Sequence, residues 1–235
     1  MAVGTLPRPA GFWPRAAAWT IDGALVAPIA LLASWPWMHP AAVAWLQGAE
    51  SLLRLTGETM GTAIIDGVPL PALALALAHD ARLVAASAAL HAATWALLAP
   101  LLCAFAVAGA LWNLAGEQSR WHGSAGKRLL GLQVRDRNGA APGIAQSLWR
   151  HIAGAASWAT LNVGHAMAGA APEHLALHDR ISATRVVTVA DAPAQLPSWA
   201  RTWLVLLCIA ALAMVAWLAN EASAVMRAGL EQALF

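Results

Sequence analysis

Residues 83–116 form an uninterrupted run without a charged side chain, bounded by Arg82 and Glu117. As a helix rising about 1.5 Å per residue, the run would reach roughly 50 Å, which exceeds the ~30 Å hydrocarbon core of a bilayer. A water-soluble fold rarely offers so long an apolar helix a place to be buried. The run therefore predicts a membrane-spanning helix that tilts or protrudes from the lipid.

The composition of the whole chain leads to the same class of protein. Of the 235 residues, 60% are hydrophobic and 11% are charged, whereas soluble domains have about 25% charged residues. The 13 Trp residues cluster near the ends of the apolar runs, as in the aromatic belts of membrane proteins. We expect the lipid bilayer to be the main partner, and the net charge of +2 gives no reason to expect nucleic-acid binding.

Three further apolar segments are candidates for crossing the bilayer. Residues 202–220 form a clear span of near-minimal length, and residues 16–37 form a span if Asp22 is tolerated. Residues 151–172 carry several polar side chains among many Ala and Gly. We predict an all-α membrane protein: a helical bundle with three firm transmembrane helices, a short or re-entrant third apolar segment and a small two-strand cytoplasmic element.

The orientation of the chain depends on residues 151–172. The β-branched segments at residues 131–136 and 184–189 flank this region, and they can pair only if they lie on the same side of the membrane. A re-entrant segment also places more of the Lys and Arg residues on the cytoplasmic side, as the positive-inside rule prefers. We therefore predict a multi-pass protein with a cytoplasmic N-terminus.

The same spans suggest how the chain is organised. We predict a membrane domain over residues 1–190, with a long outer loop at residues 38–82, followed at residues 191–235 by a linker and an additional C-terminal transmembrane helix. A cleaved signal peptide is disfavoured because Asp22 interrupts the first apolar segment.

Asp22 is the most unusual residue of the first span, since a charge near a helix centre costs about 2.5–3.5 kcal/mol on insertion scales. Arg15 lies seven residues earlier and hence on the same helix face. Arg150 and Asp179 flank the third apolar segment, and two Arg with two Asp would form a neutral buried cluster. Such a cluster could lock the bundle as a structural salt-bridge network or form an ion or proton site; interfacial snorkelling is a third interpretation.

Other motifs give weaker indications. The Gly-Lys pair at 126–127 lacks the spacing of a phosphate-binding loop, so a basic loop near anionic lipid head groups is the better interpretation. His174 and His178 have the spacing of a metal face, although a polar helix end is the simpler reading, and His91 with His165 could in principle ligate haem. We predict no enzymatic activity, no metal and no cofactor.

Three segments together carry a resemblance to a known family. The segments "PRAAAWTID", "SAGKRLLGLQVRDRNGAAPGIAQSLWRHI" and "LHDRISATRVV" resemble, in this order, the motifs of the RDD family of bacterial membrane proteins, which is named for an Arg and two Asp. Ser124 stands where Thr is common, and Ala183 where Gly is common. The matching positions are Arg15, Asp22 and Asp179 as the name residues, with Gly126, Lys127, Gly131, Gly139, Arg150, His178 and Thr184 in the surrounding motifs.

The resemblance implies an integral protein of the bacterial cytoplasmic (inner) membrane with a transport-related role, since some members have been linked to sodium/proton exchange. On this hypothesis Asp22 and Asp179 would be alternating acceptors of monovalent cations or protons, and Arg15 and Arg150 would tune them. The alternative is a non-transporting scaffold or accessory subunit whose charge cluster is structural. Small-residue patterns such as Ala106-x2-Gly109 are compatible with a homo-oligomer.

Overall fold

The computed structural model describes residues 7–190, 192–193 and 195–234, and it is mostly helical. The helices are α1 (Phe12–Ile65), α2 (Leu70–His79), α3 (Ala81–Gln118), α4 (Ala125–Leu129), α5 (Ile144–Ala159), α6 (Val163–Ala166), α7 (Leu177–Ser182) and α8 (Ser198–Leu234). The strands are β1 (Arg8–Pro9), β2 (Leu132–Asp136) and β3 (Thr184–Thr188).

In the described part of the chain, three helices are long and apolar enough to cross a membrane, as predicted: α1, α3 and α8. The third apolar segment, residues 151–172, forms no such helix. It continues α5, turns at Leu161 and Asn162, which both have positive φ, and then forms α6 and a short 3₁₀ helix at Met167–Gly169. The helix ends at these residues because left-handed backbone at two successive non-glycine residues cannot continue a right-handed helix.

The predicted outer loop at residues 38–82 is largely helical, and its position on the outer side of the membrane stays a prediction. α1 continues to Ile65, and a turn at Asp66 and Gly67 separates it from α2. The helix continues past Pro40 because most of the residues after it are good helix formers, and Arg54 and Glu58 form an i, i+4 ion pair along it. Charged residues limit the part of a helix that can enter lipid, but they do not end the helix.

The chain divides into two compact units. Unit 1 comprises the chain up to Ala30 together with Phe105–Leu206, and unit 2 comprises Leu31–Ala104 with the chain from Leu207. Within unit 2, α1 and α8 approach so closely that a Cβ on Gly57 would lie 2.5 Å from the Met226 carbonyl oxygen. Small residues permit this backbone contact, as at other helix interfaces in membranes.

The sheet lies in unit 1 and brings three distant parts of the chain together. β2 and β3 pair antiparallel, with Val134 opposite Val186, and β1 pairs with the other edge of β3. The sequence analysis predicted the two longer strands but not β1. Apolar side chains of the sheet pack with the first turns of α1: Ala10, Ala17, Ala18, Leu130, Leu132, Val134, Val186 and Ala200 are buried.

Candidate functional site

Arg15 lies in the first turns of α1 and connects them to the region around α7. Its Nε donates to the Ala10 carbonyl oxygen at 2.8 Å, and its Nη2 donates to the His174 carbonyl oxygen at 2.6 Å. Its Nη1 forms a salt bridge with Asp179 Oδ2. Arg15 therefore uses all three nitrogen atoms of its guanidinium group, a geometry that Lys cannot reproduce.

Asp179 lies in the first turn of α7 and is 1% exposed. Its Oδ2 accepts from the Ala176 backbone N–H at 3.0 Å as well as from Arg15, while its Oδ1 is paired with Arg150 Nη1. Burial raises the pKa of Asp179, but the charges of Arg150 and Arg15 outweigh burial and hold this pKa below its usual value. Asp179 is thus a permanently charged anchor between two Arg residues.

Arg150 projects from α5 and has four neighbours. Besides Asp179, its Nη1 donates to Thr184 Oγ1 at 2.7 Å, and its Nη2 lies 3.2 Å from His178 Nε2. A guanidinium group can only donate, so the His178 ring accepts at Nε2 and is neutral. In agreement, burial followed by the charge of Arg150 lowers the pKa of His178 well below 6.5.

Asp22 has different partners from those predicted. Its carboxylate accepts hydrogen bonds from Trp112 Nε1 at 2.9 Å, from the Gly126 backbone N–H at 2.8 Å and from the Ser124 hydroxyl. No Arg or Lys of the described chain lies within ion-pair distance of it. The predicted four-residue cluster is therefore corrected: Arg15, Arg150 and Asp179 converge, whereas Asp22 is held by neutral donors.

Gly126 explains why Asp22 can be held in this way. A Cβ at this position would lie 2.2 Å from the Ala18 carbonyl oxygen, so α4 can approach α1 only with a glycine there. The close approach aims the Gly126 N–H at the carboxylate. Gly131 (φ +63) and Gly139 (φ +82) adopt left-handed conformations in the turns before and after β2.

Lys127 follows Gly126 and lies on the other side of Ser124 from Asp22. Its Nζ donates to Asn113 Oδ1 at 2.6 Å and to Ser124 Oγ at 3.3 Å, and lies 3.9 Å from Glu117 Oε1. Burial lowers the pKa of Lys127, although the Glu117 charge opposes this shift.

Glu117, in the last turn of α3, is a buried charged residue of this site that the sequence analysis missed. It is fully buried, and its Oε1 lies 3.7 Å from Arg150 Nε. In the sequence it only marked the end of the longest charge-free run. The signal that could have identified it is overall charge balance, because Lys127 needs a buried counter-charge once it is placed with two Arg and two Asp.

These side chains form one continuous row through unit 1, which we call the polar row. Its charged members alternate in sign, and Ser124 lies between the first two. In order, the polar row consists of Asp22, Ser124, Lys127, Glu117, Arg150, Asp179 and Arg15. Three carboxylates and three cations give it no net charge, which is the condition for keeping six ionised groups away from water.

The two remaining His residues of interest have partners that do not form a metal site. His174 Nδ1 lies 3.0 Å from the Ala168 carbonyl oxygen, and the rings of His165 and His178 lie 5.0 Å apart. Within the described ranges of the chain, no three His, Cys, Asp or Glu side chains converge to hold a metal ion.

Three apolar helices joined to a buried polar row define a helical membrane protein. The family model described as "RDD family" matches residues 9–183, well over half of the chain, so the protein belongs to the RDD family. The name residues predicted from the sequence, Arg15, Asp22 and Asp179, all lie in the polar row. No match was found among curated proteins or among solved structures.

Proposed function

We propose that the protein is a transporter of protons or monovalent cations, and that the polar row is its ion-handling site. The proposal is supported by one observation above all: six alternating charges are connected within 4 Å steps, or through Ser124, next to apolar helices. Ionisable residues in such surroundings are expensive, and they commonly mark ion pathways and proton relays.

The geometry assigns different roles to the members of the polar row. Asp22 and Asp179 each accept hydrogen bonds or ion pairs at both oxygen atoms. Hydrogen bonds and ion pairs to both oxygen atoms fix the position of each carboxylate. The initial hypothesis of two alternating aspartate acceptors is therefore replaced by one in which both Asp are fixed anions that position the cations.

We place the protein in the bacterial cytoplasmic membrane with its sheet on the cytoplasmic side. Residues 119–137, which include α4 and β2, contain many Arg residues, as favoured for cytoplasmic loops. Because β1, β2 and β3 belong to one sheet, the proposal puts the start of α1 and both ends of residues 137–183 on the same side. α8 then carries the C-terminus to the opposite side.

A proteoliposome flux assay tests the proposed function. Vesicles containing the full chain are exposed to gradients of Na⁺, K⁺, Li⁺ and pH, and compared with protein-free vesicles. Lys127→Gln interrupts the polar row at a buried cation and should abolish flux. Arg180→Gln is the matched control, because Arg180 is an exposed cation in the same unit, 3.7 Å from the exposed Glu173.

The alternative function is a non-transporting scaffold or accessory subunit. It is favoured by the completeness with which Asp22 and Asp179 are hydrogen-bonded, since full satisfaction stabilises a fixed arrangement. Wild-type protein that inserts normally but shows no flux above protein-free vesicles under any of the gradients would refute transport and support the scaffold.

A further inference from the structure

Glu117 differs from the other two carboxylates of the polar row. Its side chain is 0% exposed, yet neither of its oxygen atoms accepts a hydrogen bond from the described part of the chain. By contrast, Asp22 accepts three hydrogen bonds, and Asp179 accepts from Ala176 and is paired with two Arg. Three carboxylates in one unit thus have similar burial but very different support for a negative charge.

The contacts of Glu117 with its two cationic neighbours are electrostatic only. Lys127 Nζ lies 3.9 Å and Arg150 Nε 3.7 Å from Oε1, both beyond the 2.7–3.2 Å typical of N–H···O hydrogen bonds. A buried ion pair usually repays the loss of hydration only when hydrogen bonds satisfy its remaining lone pairs. In Glu117 those lone pairs are unsatisfied, so the charged form is less stabilised than in Asp22 or Asp179.

The charges around Glu117 determine which ion can bind there. It faces Lys127 from α4 and Arg150 from α5, and the Glu117 charge also acts on His151 of α5. The other two carboxylates of the polar row lie further away, Asp22 beyond Lys127 and Asp179 beyond Arg150. An alkali cation at Glu117 would need further oxygen ligands, whereas the two groups beside Glu117 are Lys and Arg nitrogen donors that offer no acceptor. A proton requires no additional oxygen ligands, because it forms a covalent bond to one carboxylate oxygen.

We propose that the exchangeable proton of the transport cycle binds to the Glu117 carboxylate, while Asp22 and Asp179 stay ionised. This inference deepens the proposed function and rests on it for its role in transport. When Glu117 takes up the proton, its attraction for Arg150 Nε and Lys127 Nζ is lost, and the polar row gains a net positive charge. Release of a proton from the Lys127 ammonium group restores neutrality, so one proton enters at Glu117 and one leaves at Lys127.

Lys127 is suited to this second step. Burial lowers the pKa of its ammonium group, and the opposing attraction of the Glu117 charge disappears once Glu117 is protonated. Proton uptake at Glu117 therefore favours proton loss at Lys127. The Asn113 Oδ1 contact, at 2.6 Å, keeps the Lys127 nitrogen in place during the exchange.

Infrared difference spectroscopy of the full-length protein in lipid tests the assignment without measuring transport. Of the carboxyl C=O stretching bands that appear as the pH is lowered, one should have the higher frequency of a carboxyl group without hydrogen bonds in apolar surroundings, and this band should be missing in Glu117→Gln. The band should remain in Glu173→Gln, the matched exposed control. Absence of this band in the wild type, or its survival in Glu117→Gln, would overturn the proposal.

A second measurement uses the wild-type protein alone, in case Glu117→Gln does not fold. Dicyclohexylcarbodiimide is lipophilic and modifies protonated carboxyl groups in apolar surroundings, and mass spectrometry locates the adduct. Glu117 should be modified faster than Asp22 or Asp179, because neither of its oxygen atoms accepts a hydrogen bond in the described part of the chain. Modification of either Asp at the rate of Glu117 or faster would overturn the assignment.

The flux assay separates this inference from the proposed function. If Glu117 titrates but the protein shows no flux, the assignment of Glu117 as the proton-binding residue stands and the transport function is refuted. If proton flux persists in Glu117→Gln, the transport function stands and the role of Glu117 in it is refuted. Loss of proton flux in Glu117→Gln, with normal flux in Glu173→Gln, supports both.

Discussion

Arg15 and Asp179 form a buried ion pair although they lie 164 positions apart in the chain. The pair ties the start of α1 to α7, and Arg150 extends it to α5 and β3. Two of the three residues that name the family thus come from opposite ends of the matched sequence and form an ion pair in unit 1. Their positions are consistent with an anchoring role, and the predictions below separate anchoring from exchange.

Asp179→Asn should strongly destabilise the protein. It removes the charge that is paired with both Arg15 and Arg150, so that Arg15 loses its ion-pair partner and Arg150 keeps only Glu117. Breaking a buried ion pair in this way typically costs about 3–5 kcal/mol. Thermal unfolding of the purified chain in detergent measures the change. Glu173→Gln removes an exposed carboxylate beside Arg180 and should change stability by no more than about 1 kcal/mol; similar losses in both variants would contradict the anchoring role.

Asp22→Asn should cost less than Asp179→Asn. The amide keeps one acceptor oxygen but turns its NH₂ group towards donors that now lack a partner, a loss of about 1–3 kcal/mol. Unfolding midpoints and membrane abundance report the effect. Asp66→Asn, at an exposed turn of unit 2, is the control, and an Asp22→Asn protein as stable as this control would show that the three hydrogen bonds contribute little.

Gly126→Ala and Gly109→Ala should have opposite effects on stability. A Cβ on Gly126 would overlap the Ala18 carbonyl oxygen, so α4 must move away from α1 and Asp22 loses its backbone donor. Gly109 lies in α3 with no atom within 4 Å of an added Cβ, so alanine there should stabilise the helix by about 0.5–1 kcal/mol. Equal unfolding midpoints for the two variants would contradict the tight α1–α4 contact.

Stability should fall as the pH is lowered from about 6.5 towards 4. Burial lowers the pKa of His151 from 6.5 to about 4, so in this window the unfolded chain binds a proton that the folded chain does not. Each such His contributes a slope of up to about 1.4 kcal/mol per pH unit. His151→Gln should reduce the slope, whereas substitution of the exposed His79 by Gln should not; an unchanged slope in His151→Gln would exclude His151 as the cause.

Cysteine labelling tests the proposed topology. In a background without Cys103 and Cys208, Asn138→Cys and Gln195→Cys should react with an impermeant maleimide from the same side of the membrane. Gln232→Cys, near the end of α8, should react from the opposite side. Labelling of Asn138→Cys and Gln195→Cys from opposite sides would mean that the chain crosses the membrane between β2 and β3.

The sequence predicts the features that depend on the positions of charged residues. It does not predict the features that depend on which neutral groups the fold brings together. The spans follow from charge-free runs, because lipid excludes charge along the whole helix. The convergence of Arg15 and Arg150 on Asp179 follows from the need of a buried Arg for a carboxylate partner. The partners of Asp22 do not follow, because a backbone N–H, a Ser hydroxyl and a Trp indole carry no charge that reveals them.

Two other misses have similar physical causes. β1 has only two residues, one of them Pro, so no alternation of side chains marks it and only its pairing with β3 defines it. Glu117 was treated as the boundary of an apolar run, although it is the central member of the polar row. A boundary charge is ambiguous in sequence, since an interfacial residue and a buried one look the same until their neighbours are placed.

The division of the chain at Ala30 and Phe105 has a consequence for how such proteins can diversify. Every member of the polar row belongs to unit 1, so residues inserted or deleted between these two positions leave the row's components untouched. The far portions of α1 and α3 are free to grow, shrink or acquire new surfaces over evolutionary time. The polar row and the segment between these two positions can therefore be selected independently.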